Sequence, residues 1–308
     1  MGWTELILQS GRTAVEIALF ALLPVMVIML CLMRLLEKAG LIEWLVRRLE
    51  PGLIWFGLTG LGLLAALQMS FVSFAAPVAV LAMMELRGAS QRQLAATLAM
   101  VLAMGQANVV FPLAPMGLHL GQTLALSWLG GLVAASITWH VLTRPLHSAM
   151  TQLPAEQPTG PRPVLDVIQQ AGAEAVRIAL NAIPMLALAL LLVTLCQQAG
   201  LFAWLGQLFA PLLTPWGLDP SIVTFTLTKY LGGGMALLGV WAEMQQAGML
   251  NTQAMNASAG WLIHSTDLPG IAVLSAAGPR TGTMWRVAVL GALAGIVVRT
   301  AGHWWLNT

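Results

Sequence analysis

Charge is what this sequence has least of: 14 Lys/Arg and 12 Asp/Glu among 308 residues, or 8%. A soluble domain carries about a quarter charged residues, so an ordinary soluble fold is excluded. Cysteine is nearly absent. Cys31 and Cys196 lie in separate apolar stretches and supply neither a disulfide framework nor a metal-binding spacing. No basic cluster is present, which argues against a nucleic-acid partner. What fills the chain is apolar: 58% of residues are hydrophobic and mean hydropathy is +0.81. Apolar runs of eighteen residues or more recur from end to end, as in a polytopic α-helical membrane protein with lipid on its outer faces. The run Ile17–Met33 is longer than a signal-peptide core and no small-residue cleavage site follows it, so it reads as a true span. Trp3, Trp44, Trp55, Trp204, Trp216, Trp304 and Trp305 fall near run ends, where interfacial anchors sit.

Superposing Pro24–Leu58 on Pro184–Leu218, an offset of 184 − 24 = 160, leaves 13 identities in 35 positions. They include Pro24/Pro184, Ala39-Gly40-Leu41/Ala199-Gly200-Leu201, Trp44-Leu45/Trp204-Leu205, Pro51/Pro211 and Gly57-Leu58/Gly217-Leu218. Leucine richness does not align prolines, glycines and a tryptophan in register, so the chain reads as two copies of one unit. Copy one spans residues 1–142, a polar Pro-rich cytoplasmic linker spans 143–173, and copy two spans 174–308. Arg34, Glu37, Lys38, Glu43, Arg47, Arg48 and Glu50 of copy one face Thr194, Gln197, Gln198, Ala203, Gln207, Leu208 and Ala210 of copy two. Lys and Arg accumulate on the cytoplasmic side. The same segment is therefore expected on opposite sides of the membrane in the two copies, an inverted-topology repeat. The expected fold is all-α, each repeat having about three full spans, an interfacial amphipathic helix and a re-entrant hairpin.

In copy one these are a span near Thr13–Met33, an interfacial helix Leu41–Leu49, a hairpin Leu53–Leu86 around Gln68-Met69-Ser70, a broken span Leu94–Pro115 and a return span Thr123–Leu142. In copy two they are Ile178–Cys196, Leu201–Phe209, a hairpin Leu212–Met244 around Lys229, a broken span Ala254–Ala276 and Trp285–Trp304. This topology puts every Lys and Arg at the cytoplasmic side except Arg12, Lys229 and Arg299, and leaves both termini outside a bacterial inner membrane. Arg299, inside the last span, has no role in this reading.

The candidate site lies where the interruptions meet, near the midplane. Copy one supplies Gln68, Ser70 and Ser73, then Gln106 and Asn108 beside Gly105. Copy two supplies Thr228, Lys229 and Tyr230 with Gly232, Gly233 and Gly234, then His264, Ser265, Thr266 and Asp267. A lysine at the bilayer centre costs about 2.5–3.5 kcal/mol on insertion scales and so calls for a partner or a ligand; Asp267 is the natural counter-charge. Half-helix N-termini attract anions, which points to a small polar or anionic solute. One histidine and one carboxylate make a weak metal or acid–base pair, and His264 and Ser265, as neighbours, point apart. No catalysis, metal or cofactor is expected; Na⁺ or H⁺ coupling and homo-oligomer formation stay open. His119, His140, His147 and His303 sit at apparent span ends.

The duplicated unit resembles the Gate, or nucleoside-recognition, domain of the spore maturation proteins A and B, the membrane part of ferrous-iron transporter B and relatives of the concentrative nucleoside transporters. Copy two is most similar to spore maturation protein B, whose basic residue before a glycine/serine-rich turn and later Gly-Ser-Thr-Asp run correspond to Lys229 with Gly232-Gly233-Gly234 and to His264-Ser265-Thr266-Asp267. Lys229 is one residue nearer the glycines than in that pattern, His264 replaces its glycine, and copy one keeps only Gln68, Ser70 and Ser73 of the protein A hairpin. The resemblance implies an inverted-repeat bundle with paired hairpins that acts as a transporter and, from the domain's name, a nucleoside-like solute; a carboxylate or phosphate on the solute is suggested instead by Lys229 beside the start of a half-helix. A non-transporting scaffold subunit in envelope or spore assembly and a lipid-precursor translocase are the alternatives.

Overall fold

The computed structural model describes residues 3–146, 163–213 and 222–308, and no strand occurs among them. Helix α1 (Trp3–Glu16) runs through a π-helical segment (Ile17–Leu22) into α2 (Leu23–Lys38). Helix therefore begins well before Thr13, where the span was expected to start: the polar start is part of it, with Arg12 reaching Glu16 one turn on at 3.9 Å. Helix α3 (Leu41–Leu53) follows, then α4 (Gly60–Phe71) and α5 (Pro77–Leu86), which pack against each other as a helical hairpin. Next come α6 (Gln91–Ala103) and α7 (Ala107–Leu113), two parts of one interrupted helix, and α8 (Leu120–Ile137).

The second half begins with α9 (Val164–Gln198), so helix already occupies the end of the stretch read as linker; the linker's residues 147–162, and His147 with them, lie outside the described residues. Helix α10 (Leu201–Leu213) and α11 (Ile222–Gln246) follow, the latter broken at Gly233. Trp216 and Gly217 fall outside the described residues. A second interrupted helix, α12 (Thr252–Leu262) with α13 (Leu268–Ser275), leads through the short α14 (Pro279–Thr283) to α15 (Trp285–Asn307).

The local signals recur at the offset of 160. Gly40 and Gly200 both turn left-handed, at φ 71° and 70°, ending α2 and α9; a residue without a Cβ is the usual stop there. Ala39 and Ala199 donate to Leu35 and Leu195, and Trp44 and Trp204 to Gly40 and Gly200, all at 2.9 Å. Helices α3 and α10 then start at corresponding residues, Leu41 and Leu201. On α3, Leu41, Trp44 and Leu49 are exposed, leaving the apolar face open as an interfacial helix requires. Trp3, Trp55, Trp204, Trp304 and Trp305 are exposed as well.

Arg34 near the end of α2 pairs with Glu174 in the first third of α9 at 3.0 Å, and Cys31 Sγ donates to the Ile168 carbonyl at 3.8 Å. The end of α2 thus meets the beginning of α9, and these corresponding helices run antiparallel. Among the described residues three helical stretches, Gln91–Met116, Leu120–Leu142 and Trp285–Asn307, are long and apolar enough to cross a membrane. The centre belongs to α6, buried from Gln93 to Ala103, and α15 packs against α6, α8 and α12.

At the end remote from the interruptions, the two halves are fastened by Glu85 of α5. Its carboxylate accepts from Arg280 N at 3.0 Å, Thr281 N at 2.9 Å and Thr281 Oγ1 at 2.8 Å. Arg280 returns a bond to the Ala89 carbonyl at 2.7 Å.

Candidate functional site

Each interruption has a local cause. Helix α4 ends at Phe71, and the chain resumes helix only at Pro77, in the first turn of α5, where its fixed φ and missing N–H suit a helix start. The turn of the first hairpin is therefore Val72–Ala76, later than the expected Gln68-Met69-Ser70, which form the last turn of α4. Of the candidates only Ser73 lies in the turn; Gln68 and Ser70 lead into it. In the second hairpin segment the break is likewise later. Thr228, Lys229, Tyr230 and Gly232 are helical, and the chain departs from helix at Gly233 alone, with φ 81° and ψ 178°. Three weak helix formers in a row made the whole run look broken; one of them takes the positive φ.

The second interrupted helix restarts on Asp267, whose Oδ1 accepts from Gly270 N at 2.7 Å as an N-cap, with Pro269 in the first turn. The first restarts after Gln106, and Asn108 falls inside the new helix. Gly105 N donates to Ser127 Oγ on α8 at 2.7 Å.

These interruptions meet. Gln106 Nε2 donates to the His264 carbonyl at 3.0 Å. The Leu102 carbonyl, freed at the end of α6, accepts from both Ser265 N at 3.0 Å and Thr266 Oγ1 at 2.9 Å. Asn108 accepts from Phe74 N in the first hairpin turn at 3.1 Å and places its amide 3.0 Å from Met235 Sδ. A Cβ on Gly234 would lie 2.9 Å from Val109 and 3.0 Å from Gln106 Oε1. Both halves of the chain therefore contribute to one buried centre. Ser265 Oγ reaches Met69 Sδ at 3.4 Å, and this contact ties the last turn of α4 to it.

At its heart Lys229 Nζ lies 2.6 Å from Asp267 Oδ2, with both side chains essentially inaccessible to solvent. The counter-charge expected from sequence is the one found. His264 Nδ1 is 3.5 Å from the same ammonium and accepts from Thr266 N at 3.0 Å. A backbone N–H can only donate, so the hydrogen-bond network assigns the imidazole proton to Nε2, which faces Tyr230 Oη at 3.3 Å. Tyr230 in turn packs on Trp261, centroids 5.4 Å apart. Gln68 Oε1, Ser70 Oγ and Thr228 Oγ1 are buried and have no hydrogen-bond partner. The Thr97, Thr123 and Ser275 hydroxyls are likewise buried without a partner.

The sequence reading missed Arg299. It is fully buried on α15 and donates from Nη1 to the Ala103 carbonyl at 2.5 Å and from Nη2 to the Ile263 carbonyl at 2.7 Å. Its partners are backbone carbonyls, which leave no mark in a sequence; a lone charge inside an apolar run was the only signal. His303, expected at an interface, is buried, with Nδ1 3.0 Å from the Asn256 carbonyl; His119 and His140 are exposed. Among the described residues no group of three His, Cys, Asp or Glu side chains could hold a metal ion.

The fold is that of the concentrative nucleoside transporters. A doubly substituted form of CNTnw in an outward-facing state superposes with a TM-score of 0.71 over 98% of this chain and 83% of that one, at 18% identity. CNTnw in an inward-facing substrate-bound state gives 0.69 over 97% and 81%, at 19% identity. An intermediate state gives 0.70 over 92% and 75%, also at 19%. No protein-family model matches the chain, and no curated protein matches it. The likeness to the Gate domain and the spore maturation proteins therefore rests on the quoted residues alone.

Proposed function

We propose that this chain is a secondary transporter of a bacterial inner membrane, moving a small polar solute, nucleoside-like or carboxylate-bearing, through the centre where its interrupted helices meet. The observation that carries this reading is the buried Lys229–Asp267 pair at the meeting of the interrupted helices; Gln68, Ser70 and Thr228, in the helical turns that lead into the hairpin breaks, keep buried oxygens without a partner. A scaffold has no use for so costly a polar centre, whereas a solute supplies the missing partners. Lys229 presents the ammonium to an acceptor group, Asp267 orients it, and His264 with Tyr230 offers a second polar edge. Alternating exposure is supported by the match to outward-facing, intermediate and inward-facing states of one transporter.

A thermal-shift screen of purified protein against uridine, adenosine, an aromatic dicarboxylate and a phosphorylated sugar tests it. A ligand at one hundred times its Kd stabilises the folded state by about 2.7 kcal/mol, a shift easily read. Compounds that shift the melting point should then enter proteoliposomes under an imposed Na⁺ or proton gradient. No shift and no uptake across the panel removes this reading.

The inverted arrangement of the copies is part of the same proposal; the antiparallel contact of α2 with α9 and the cytoplasmic charge bias support it. Both termini then lie outside. Single cysteines at Arg47 and Gln207, corresponding exposed positions on α3 and α10, should react with an impermeant maleimide from opposite sides. Labelling from the same side would refute the inversion.

A further inference from the structure

Arg299 donates to two carbonyls, and those carbonyls correspond to each other: 263 − 103 = 160, the offset of the repeat. One ends α6 in the first copy and the other follows α12 in the second. Each is among the last carbonyls of a half-helix, which have no partner within it and carry the negative end of its dipole. We propose that Arg299 is the positioning residue of the solute site: a single guanidinium that closes both half-helix ends at once and so holds the two interruptions as one rigid piece.

The surroundings are shaped for that fork. Gly130 on α8 makes room for the stem: a Cβ there would collide with Arg299 Cγ and lie 2.6 Å from Cδ. Gly260 lets α12 lie directly on the Arg299 backbone, where a Cβ would be 2.5 Å from its carbonyl. Gly105, at the first break, leaves 3.5 Å between its Cβ position and Nη2. Beyond the two carbonyls, each interruption bears site residues within a few positions: Gln106 and Asn108 on one side, His264 and Asp267 on the other. Arg299 thus sets the spacing between residues from opposite copies without itself touching Lys229 or Asp267. A lysine keeps the charge but, being a point donor without a planar fork, does not span two fixed carbonyls.

The test is hydrogen–deuterium exchange of purified wild type, Arg299→Lys and Arg299→Gln, read at Ala103–Asn108 and at Ile263–Leu268. Both variants should speed exchange ~tenfold or more at both segments together, leaving Glu85 and its contacts with Arg280 and Thr281 unchanged. Should Arg299→Gln not yield folded protein, Arg299→Lys decides alone. In proteoliposomes the KM of Arg299→Lys for whichever solute the screen identifies should rise ~tenfold or more with the maximal rate little changed. Faster exchange at only one segment, or wild-type exchange in Arg299→Lys, overturns the proposal. The uptake arm rests on the solute-site reading and the exchange arm does not: if no solute is transported by wild type, that reading fails while exchange still decides the role of Arg299.

Discussion

Lys229→Met and Asp267→Asn should each destabilise the protein by about 3–5 kcal/mol, because each leaves the other's charge buried without its partner. The pair is 2.6 Å apart and sealed from solvent, so the abandoned group has no route to water. The double substitution should recover most of that loss. Methionine fills the lysine's volume, and an asparagine keeps an oxygen to accept from Gly270 N, as Asp267 Oδ1 does at 2.7 Å. On the proposed function, stability and transport then separate: the doubly neutral protein should fold but not transport, since the ammonium proposed to meet the solute is gone. Denaturation midpoints in detergent, arranged as a double-mutant cycle, measure the coupling. Additive losses would show that the two charges do not depend on each other; uptake by the double variant would remove Lys229 from the site.

The second large effect is expected at Gly270. A Cβ there would strike the Ser265 carbonyl oxygen and lie 2.8 Å from Asp267 Oδ1. Backbone cannot step aside as a flexible side chain does, so Gly270→Ala should cost about 1–3 kcal/mol as overpacking. It should also displace Asp267 from the first turn of α13, weakening solute binding more than a stability loss alone would. The control is Gly121→Ala near the start of α8, where nothing lies within 4 Å of the added methyl. Alanine is the better helix former by up to about 1 kcal/mol, so that change should be neutral or mildly stabilising. Equal melting points for the two variants would show that the loop before α13 is not packed as described.

Much of this was legible in the residues. Lys229 and Asp267 could be paired on paper because a charge in an apolar run must find its opposite or leave the membrane, and few opposites existed. Interruptions at Gly105–Gln106 and His264–Asp267 were visible as polar clusters inside helical hydropathy. The hairpin breaks were placed less well. The first runs from Val72 to Ala76 and ends where Pro77 restarts the helix, and the second is confined to the one glycine, Gly233, with positive φ. Polarity near a break drew attention to Gln68–Ser70 and to Lys229, yet these stand in the helical turns leading up to it.

By itself the sequence determined the helical class, the glycine stops after α2 and α9 and the residue types of the polar centre, because all of these follow from short-range rules: hydropathy, period and backbone preference. Only the tertiary structure decided that Leu102 and Ala103 in the first half of the chain meet Thr266 and Arg299 in the second. Backbone carbonyls are the same at every residue, so which of them a buried donor reaches depends on how helices cross, and no residue pattern records that.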